Sequence, residues 1–164
     1  MPIAIDSSRP YLSPSELEDL VRAVMGADPH NESTWIEWKS RLGLEEMSTH
    51  HHIAKHVLGF ANRTVETARA HAGGYAYLII GADPKGLLGI SPVDPANLRP
   101  WIERYVGSAV RWRSEYLTEQ NKQVLVVIVE PPRAGDPIYP LRRHFQTTYP
   151  KSTHHPLHLA CLRL

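Results

Sequence analysis

Apolar residues recur along this chain with two different periods, and the switches between them predict a succession of helices and strands. Leu17, Leu20, Val21 and Val24 lie three and four apart, as on one face of a helix. Ser13-Pro14-Ser15-Glu16 supplies the start: Ser13 caps, Pro14 suits the first turn and Glu16 completes a capping box, while Gly26 ends the run. After the turn Asp28-Pro29-His30-Asn31, Thr34 to Lys39 alternates as a strand does, with Ile36 and Trp38 on one face and Trp35, Glu37 and Lys39 on the other. Ser48 or Thr49 caps a second helix with Ile53, His56, Val57 and Phe60 on one stripe, fading at Asn62. Arg63 to Ala72 is polar and alanine-rich, either a further helical turn or a loop.

Gly73-Gly74 precedes Tyr75 to Ile80, an unbroken apolar run that predicts a central strand. Leu87 to Ile90, beyond the Gly81–Gly86 turn, is its expected hairpin partner. Asp94-Pro95 opens a third helix that buries Leu98, Ile102, Tyr105 and Val106. Val110 to Leu117 alternates again, and Gln123 to Glu130 carries the strongest strand signal until Pro131-Pro132 stops it. Ile138 to Arg143 reads as one more edge strand, Met1 to Leu12 as a loosely ordered arm, and Lys151 to Leu164 as an irregular tail. This order of elements predicts one α+β domain over residues 13–150, with a mixed or mostly antiparallel sheet and flanking helices.

Composition agrees with one globular domain: of 164 residues, 42% are hydrophobic and 21% charged. The single cysteine, Cys161, cannot form an internal disulfide, so a reducing, cytoplasmic setting is expected. No signal peptide is visible, and no run approaches the ~20 apolar residues of a membrane helix. Net charge is only +1, yet the charge is unevenly placed: from Asp83 onward there are 11 Lys+Arg against 7 Asp+Glu, and before it 7 against 10. A basic region beside a carboxylate-rich one suits a phosphate-bearing partner.

Several side chains have the chemistry of a site. Glu32 and Glu37 flank the start of the first strand and are followed by Lys39, while Asp83 ends the glycine-flanked strand or simply opens the Asp83-Pro84 turn. Arg111 and Arg113 share one strand face, with Trp112 opposite; together with Arg142, Arg143 and Lys39 they are the candidate phosphate contacts. Tyr116 and Tyr139 are candidates for base stacking or for burial in the sheet. His52 and His56 stand four apart on one helical face at metal-ligand spacing, and His154, His155, His158 and Cys161 raise a zinc possibility in the tail. A P-loop is disfavoured, because Leu87 and Leu88 stand where Lys and Ser/Thr are required after Gly81 to Gly86. No serine occupies a G-x-S-x-G turn.

The ordered combination Glu32-Ser33-x-x-x-Glu37-Trp38-Lys39, then Phe60-Ala61-Asn62, then Gly73-Gly74 through Ile80-Gly81-x-Asp83 resembles the Schlafen-type AlbA-like domain, also labelled a divergent ATPase-associated module. The resemblance implies nucleic-acid binding, to RNA or DNA. In some relatives it also implies cleavage of structured RNA such as tRNA by three clustered carboxylates with Mg²⁺ or Mn²⁺, which here correspond to Glu32, Glu37 and Asp83. Hard oxygen ligands suit such an ion, which would clamp phosphoryl oxygens and activate water. The alternative is a non-catalytic DNA-binding or transcriptional regulatory module. Relatives with two such lobes form an RNA cleft, so a homodimer is the expected equivalent for a one-lobed chain. Two features depart from the family pattern: Asp83 is followed by Pro84 rather than a second acid, and Arg63 to Ala72 stands as an insertion.

Overall fold

The computed structural model describes residues 3–30 and 33–146. The elements in chain order are α1 (Pro14–Met25), β1 (Ile36–Lys39), α2 (Met47–Ala61), α3 (Val65–Arg69), β2 (Ala76–Ile80), β3 (Ala82–Asp83), β4 (Gly86–Leu87), α4 (Pro95–Val106), β5 (Trp112–Glu119) and β6 (Lys122–Val129). The fold is α+β, as expected. Its main sheet has the order β1-β2-β6-β5, with β1 parallel to β2 and the other pairs antiparallel.

Strand alternation divides the core in two. Ala76, Leu78, Ile80, Leu125, Val127 and Val129 face α2 and α4, while Tyr77, Ile79, Val124, Val126 and Ile128 face α1. Both sides of β2 and β6 are therefore covered, which is why those strands read as unbroken apolar runs. The Ser13–Glu16 capping box forms as predicted, and the amides of Ser13 and Leu12 hold the Glu16 carboxyl at about 2, well below the usual range.

The structure revises several element predictions. The hairpin following β2 is a separate two-stranded unit, β3 with β4, because β2 is already paired on both edges by β1 and β6. Helix α2 begins at Met47 with Glu46 as N-cap, and no side chain caps it: the Ser48 hydroxyl donates to the Glu46 carboxylate instead (3.4 Å). Within Arg63 to Ala72 lies the short helix α3, capped by Thr64. Ile138 to Arg143 is not a strand. Asn62 exchanges two hydrogen bonds with the Tyr139 backbone (2.9 and 2.8 Å), and the Arg142 amide donates to the Tyr105 carbonyl (2.8 Å), so helix ends secure this segment in place of a sheet ladder. The described part of the N-terminal arm is packed rather than loose. Tyr11 is fully buried against Tyr77, whose hydroxyl accepts the Tyr11 amide (2.8 Å).

Candidate nucleic-acid interface

The parallel strands β1 and β2 end side by side, and three connections gather at that end: the β1–α2 loop, the β4–α4 loop and the β5–β6 turn. Gly81, just past β2, has a φ of +105°, and its carbonyl accepts the amides of Leu88 and Gly89 (3.0 and 2.8 Å). This sharp reversal, easy only for glycine, brings the β4–α4 loop back over the sheet end. The Ile90 amide then donates to the Gln123 carbonyl (2.9 Å), tying the loop to β6. The result is an open groove of about 1150 Å³. Its lining includes Arg41, Glu45, Glu46 and His52 from the β1–α2 side of the chain, with Gly89, Ile90 and Lys122 from the later loops.

Arg41 and Lys122 are both exposed and both line this groove. The Lys122 ammonium donates to the Leu87 carbonyl (2.9 Å), which holds the charged head in place while the residue stays exposed. Neither residue stood out in the sequence. The elements that bring them together lie about eighty residues apart, and only the closure of the sheet end makes them neighbours. His52 lies between burial and exposure on the same groove; burial, then the charges of Lys39 and Lys55, hold its imidazole below the ordinary pKa.

The expected carboxylate trio is only partly within view. Glu32 lies outside the described residues. Glu37 sits on the α2-facing side of β1 and is closely paired with Lys39, both side chains being mostly buried (16% and 30% exposed). One Asp83 carboxylate oxygen accepts the amides of Lys85 and Gly86 (2.8 and 3.2 Å), organising the β3–β4 turn. Among the described residues no three His, Cys, Asp or Glu side chains converge so as to hold a metal ion. The described donors therefore do not by themselves fit Mg²⁺ or Mn²⁺, which need several convergent oxygens.

The predicted arginine face is largely neutralised within the fold. Arg111 forms a two-pronged pair with Asp136 (2.6 and 3.3 Å), donates to the Pro131 carbonyl (3.2 Å) and has Glu130 at 3.5 Å. Arg111 holds the Asp136 carboxyl below its usual range, and Asp136 in turn raises Arg111. Arg113 pairs with Glu115 and donates to the Leu12 carbonyl (2.8 Å). Arg142 and Arg143 are exposed, and no ion pair engages either one among the described residues. Tyr116 is half-buried and exchanges hydrogen bonds with Val93 (3.1 and 2.9 Å), which leaves it a structural role. The four tail residues His154, His155, His158 and Cys161 lie outside the described residues.

The family model described as Schlafen, AlbA_2 matches residues 32–154, well over half of the chain. The chain belongs to the Schlafen AlbA_2 family. No curated protein matches it. Among solved structures, it is similar to the solution NMR structure of the N-terminal domain of an ATP-dependent DNA helicase RecG-related protein from Nitrosomonas europaea. That likeness runs at 22% identity, covers 88% of this chain and 98% of that one, and has a TM-score of 0.44. No helix among the described residues is long and apolar enough to cross a membrane.

Proposed function

We propose that this domain binds nucleic acid, with the sugar-phosphate backbone lying in the groove at the carboxyl ends of β1 and β2. Membership of the Schlafen AlbA_2 family carries the reading, and the groove supplies a location for it. Arg41 and Lys122 contact phosphates along the groove, and the exposed Arg142 and Arg143, on the segment after Pro137, are secondary cations. Phosphate neutralisation by Lys and Arg supplies most non-specific affinity, and it makes binding fall as salt rises. Arg111 and Arg113 contribute little, because their charge is already satisfied by Asp136, Glu130 and Glu115.

The finer form of the proposal is metal-dependent cleavage of structured RNA by Glu32, Glu37 and Asp83. The closure of Glu37 on Lys39 and the use of Asp83 by its own turn favour the other form, a binding module without cleavage. Incubating the protein with labelled tRNA or duplex DNA, with and without Mg²⁺ or Mn²⁺, beside a Glu32→Ala/Glu37→Ala variant decides between them. Salt-sensitive binding with no cleavage is the expected result. Metal-dependent cleavage that the variant loses while still binding RNA would establish the nuclease form. No binding to either polymer at low salt would overturn the proposal itself.

A further inference from the structure

The pair His52 and His56, one turn apart on α2, is not used by the binding reading above. Their Nε2 atoms lie 3.3 Å apart, with the ring planes at 74° and the centroids 4.8 Å apart. Two imidazoles on one tetrahedral zinc ion, each with a Zn–N bond of about 2.0–2.1 Å, place their nitrogens about 3.3–3.4 Å apart. The rings thus already hold the spacing of two adjacent corners of a zinc tetrahedron. A hydrogen bond joins them at present, which requires one Nε2 to carry a proton and the other to present a lone pair. Moving that proton to the Nδ1 of the same ring, with both rings turned towards a common point, makes both lone pairs available with no net proton released.

Both rings are only partly buried, and His52 lines the groove. The buried residues Ile53 and Val57 on the same helix anchor the backbone that presents them. Imidazole nitrogens select zinc-class ions (Zn²⁺, Ni²⁺, Cu²⁺) over Mg²⁺ or Ca²⁺, which prefer oxygen. Lys39 and Lys55 put positive charge near His52, and Glu37 offsets that of Lys39.

We infer that His52 and His56 form a two-ligand clip for a zinc-class divalent ion on the wall of the groove, its remaining coordination positions open to water or to a phosphate oxygen. This site differs in residues and in ligand chemistry from the carboxylate trio, and it stands whether or not nucleic acid binds.

The test is calorimetric titration of the chelator-treated, dialysed protein with ZnCl₂ alone. Partner variants are His52→Ala, His56→Ala and a tail variant His154→Ala/His155→Ala/His158→Ala/Cys161→Ser. One ion should bind in the wild type and in the tail variant. Either helix variant should lose more than the ~10–100-fold in affinity that removing an outer-shell partner of a metal ligand costs. Long-range ¹H–¹⁵N NMR of the imidazoles guards against misfolded variants: zinc should shift the Nε2 resonances of both residues in the wild-type protein. Zinc binding undiminished in His52→Ala and His56→Ala would overturn the inference. So would loss confined to the tail variant, or a wild type whose His52 and His56 resonances do not move.

Discussion

Replacing Tyr77 by Phe removes a single oxygen from the middle of the sheet, and its cost follows from one contact. The Tyr77 hydroxyl accepts the Tyr11 amide at 2.8 Å, and neither residue is more than 1% exposed. Without the oxygen, a buried N–H donor has no partner, which costs about 1–3 kcal/mol. In a domain of this size that lowers the melting temperature by about 3–9 °C. The same hydroxyl predicts a pH signature. Burial pushes its pKa up to about 12, while an unfolded tyrosine ionises near pH 10. The unfolded chain therefore releases this proton first: stability is intact below pH 10 and falls as the pH rises from about 10 to 12. The two-unit difference corresponds to ~2.7 kcal/mol at full ionisation. Tyr77→Phe should lose this component, so its deficit against the wild type should narrow at alkaline pH. Urea unfolding at pH 8 and pH 10.5, followed by tryptophan fluorescence, measures both effects. Identical midpoints at pH 8 would show that the N-terminal segment is not docked on β2 as described.

Other perturbations separate structural from functional roles. Arg63 donates to the carbonyls of Phe60, Thr34 and Gly74 (2.8, 3.3 and 2.7 Å), and burial lowers its pKa to about 10; Arg63→Met should destabilise by about 2 kcal/mol, as lost charged hydrogen bonds outweigh the relieved desolvation, and an unchanged urea midpoint would show that desolvation wins. Glu16, held near 2 against an ordinary 4.5, contributes stability above pH 4.5 that is lost as the pH falls towards 2; Glu16→Gln should flatten the acid limb of a stability–pH profile. At Gly74, with φ +91°, an added Cβ would stand 2.8 Å from Pro131 Cβ, so Gly74→Ala should lower the melting temperature measurably in calorimetry.

Most of the fold was legible because its strongest signals are local. The apolar runs of β2 and β6, the Ser13 capping box and the Asp94-Pro95 helix start act within a few residues, and each appears where the pattern put it. The failures are long-range. Leu87 to Ile90 carries enough apolar residues to pair with β2, but β6, some forty residues on, takes that edge. Tyr11 looks like part of a loosely ordered arm until Tyr77 accepts its amide. Of the expected phosphate contacts, Arg111 and Arg113 were visible as cations, but their acids, especially Asp136, were not visible as partners. Arg41 and Lys122 carry no motif at all and become a pair only where the loops close over the sheet end.

The groove is tested most directly by fluorescence anisotropy with a labelled single-stranded oligonucleotide at several salt concentrations. Wild type would be compared with Arg41→Ala/Lys122→Ala and with Arg111→Gln/Arg113→Gln. Binding should weaken with salt. The Arg41/Lys122 variant should bind less tightly and lose about 1.4 from the slope of log K against log [salt], roughly 0.7 for each single-strand phosphate contact removed. The Arg111/Arg113 variant should retain the wild-type slope. A steep loss in the Arg111/Arg113 variant with none in the Arg41/Lys122 variant would contradict the account and move the interface to the β5 face.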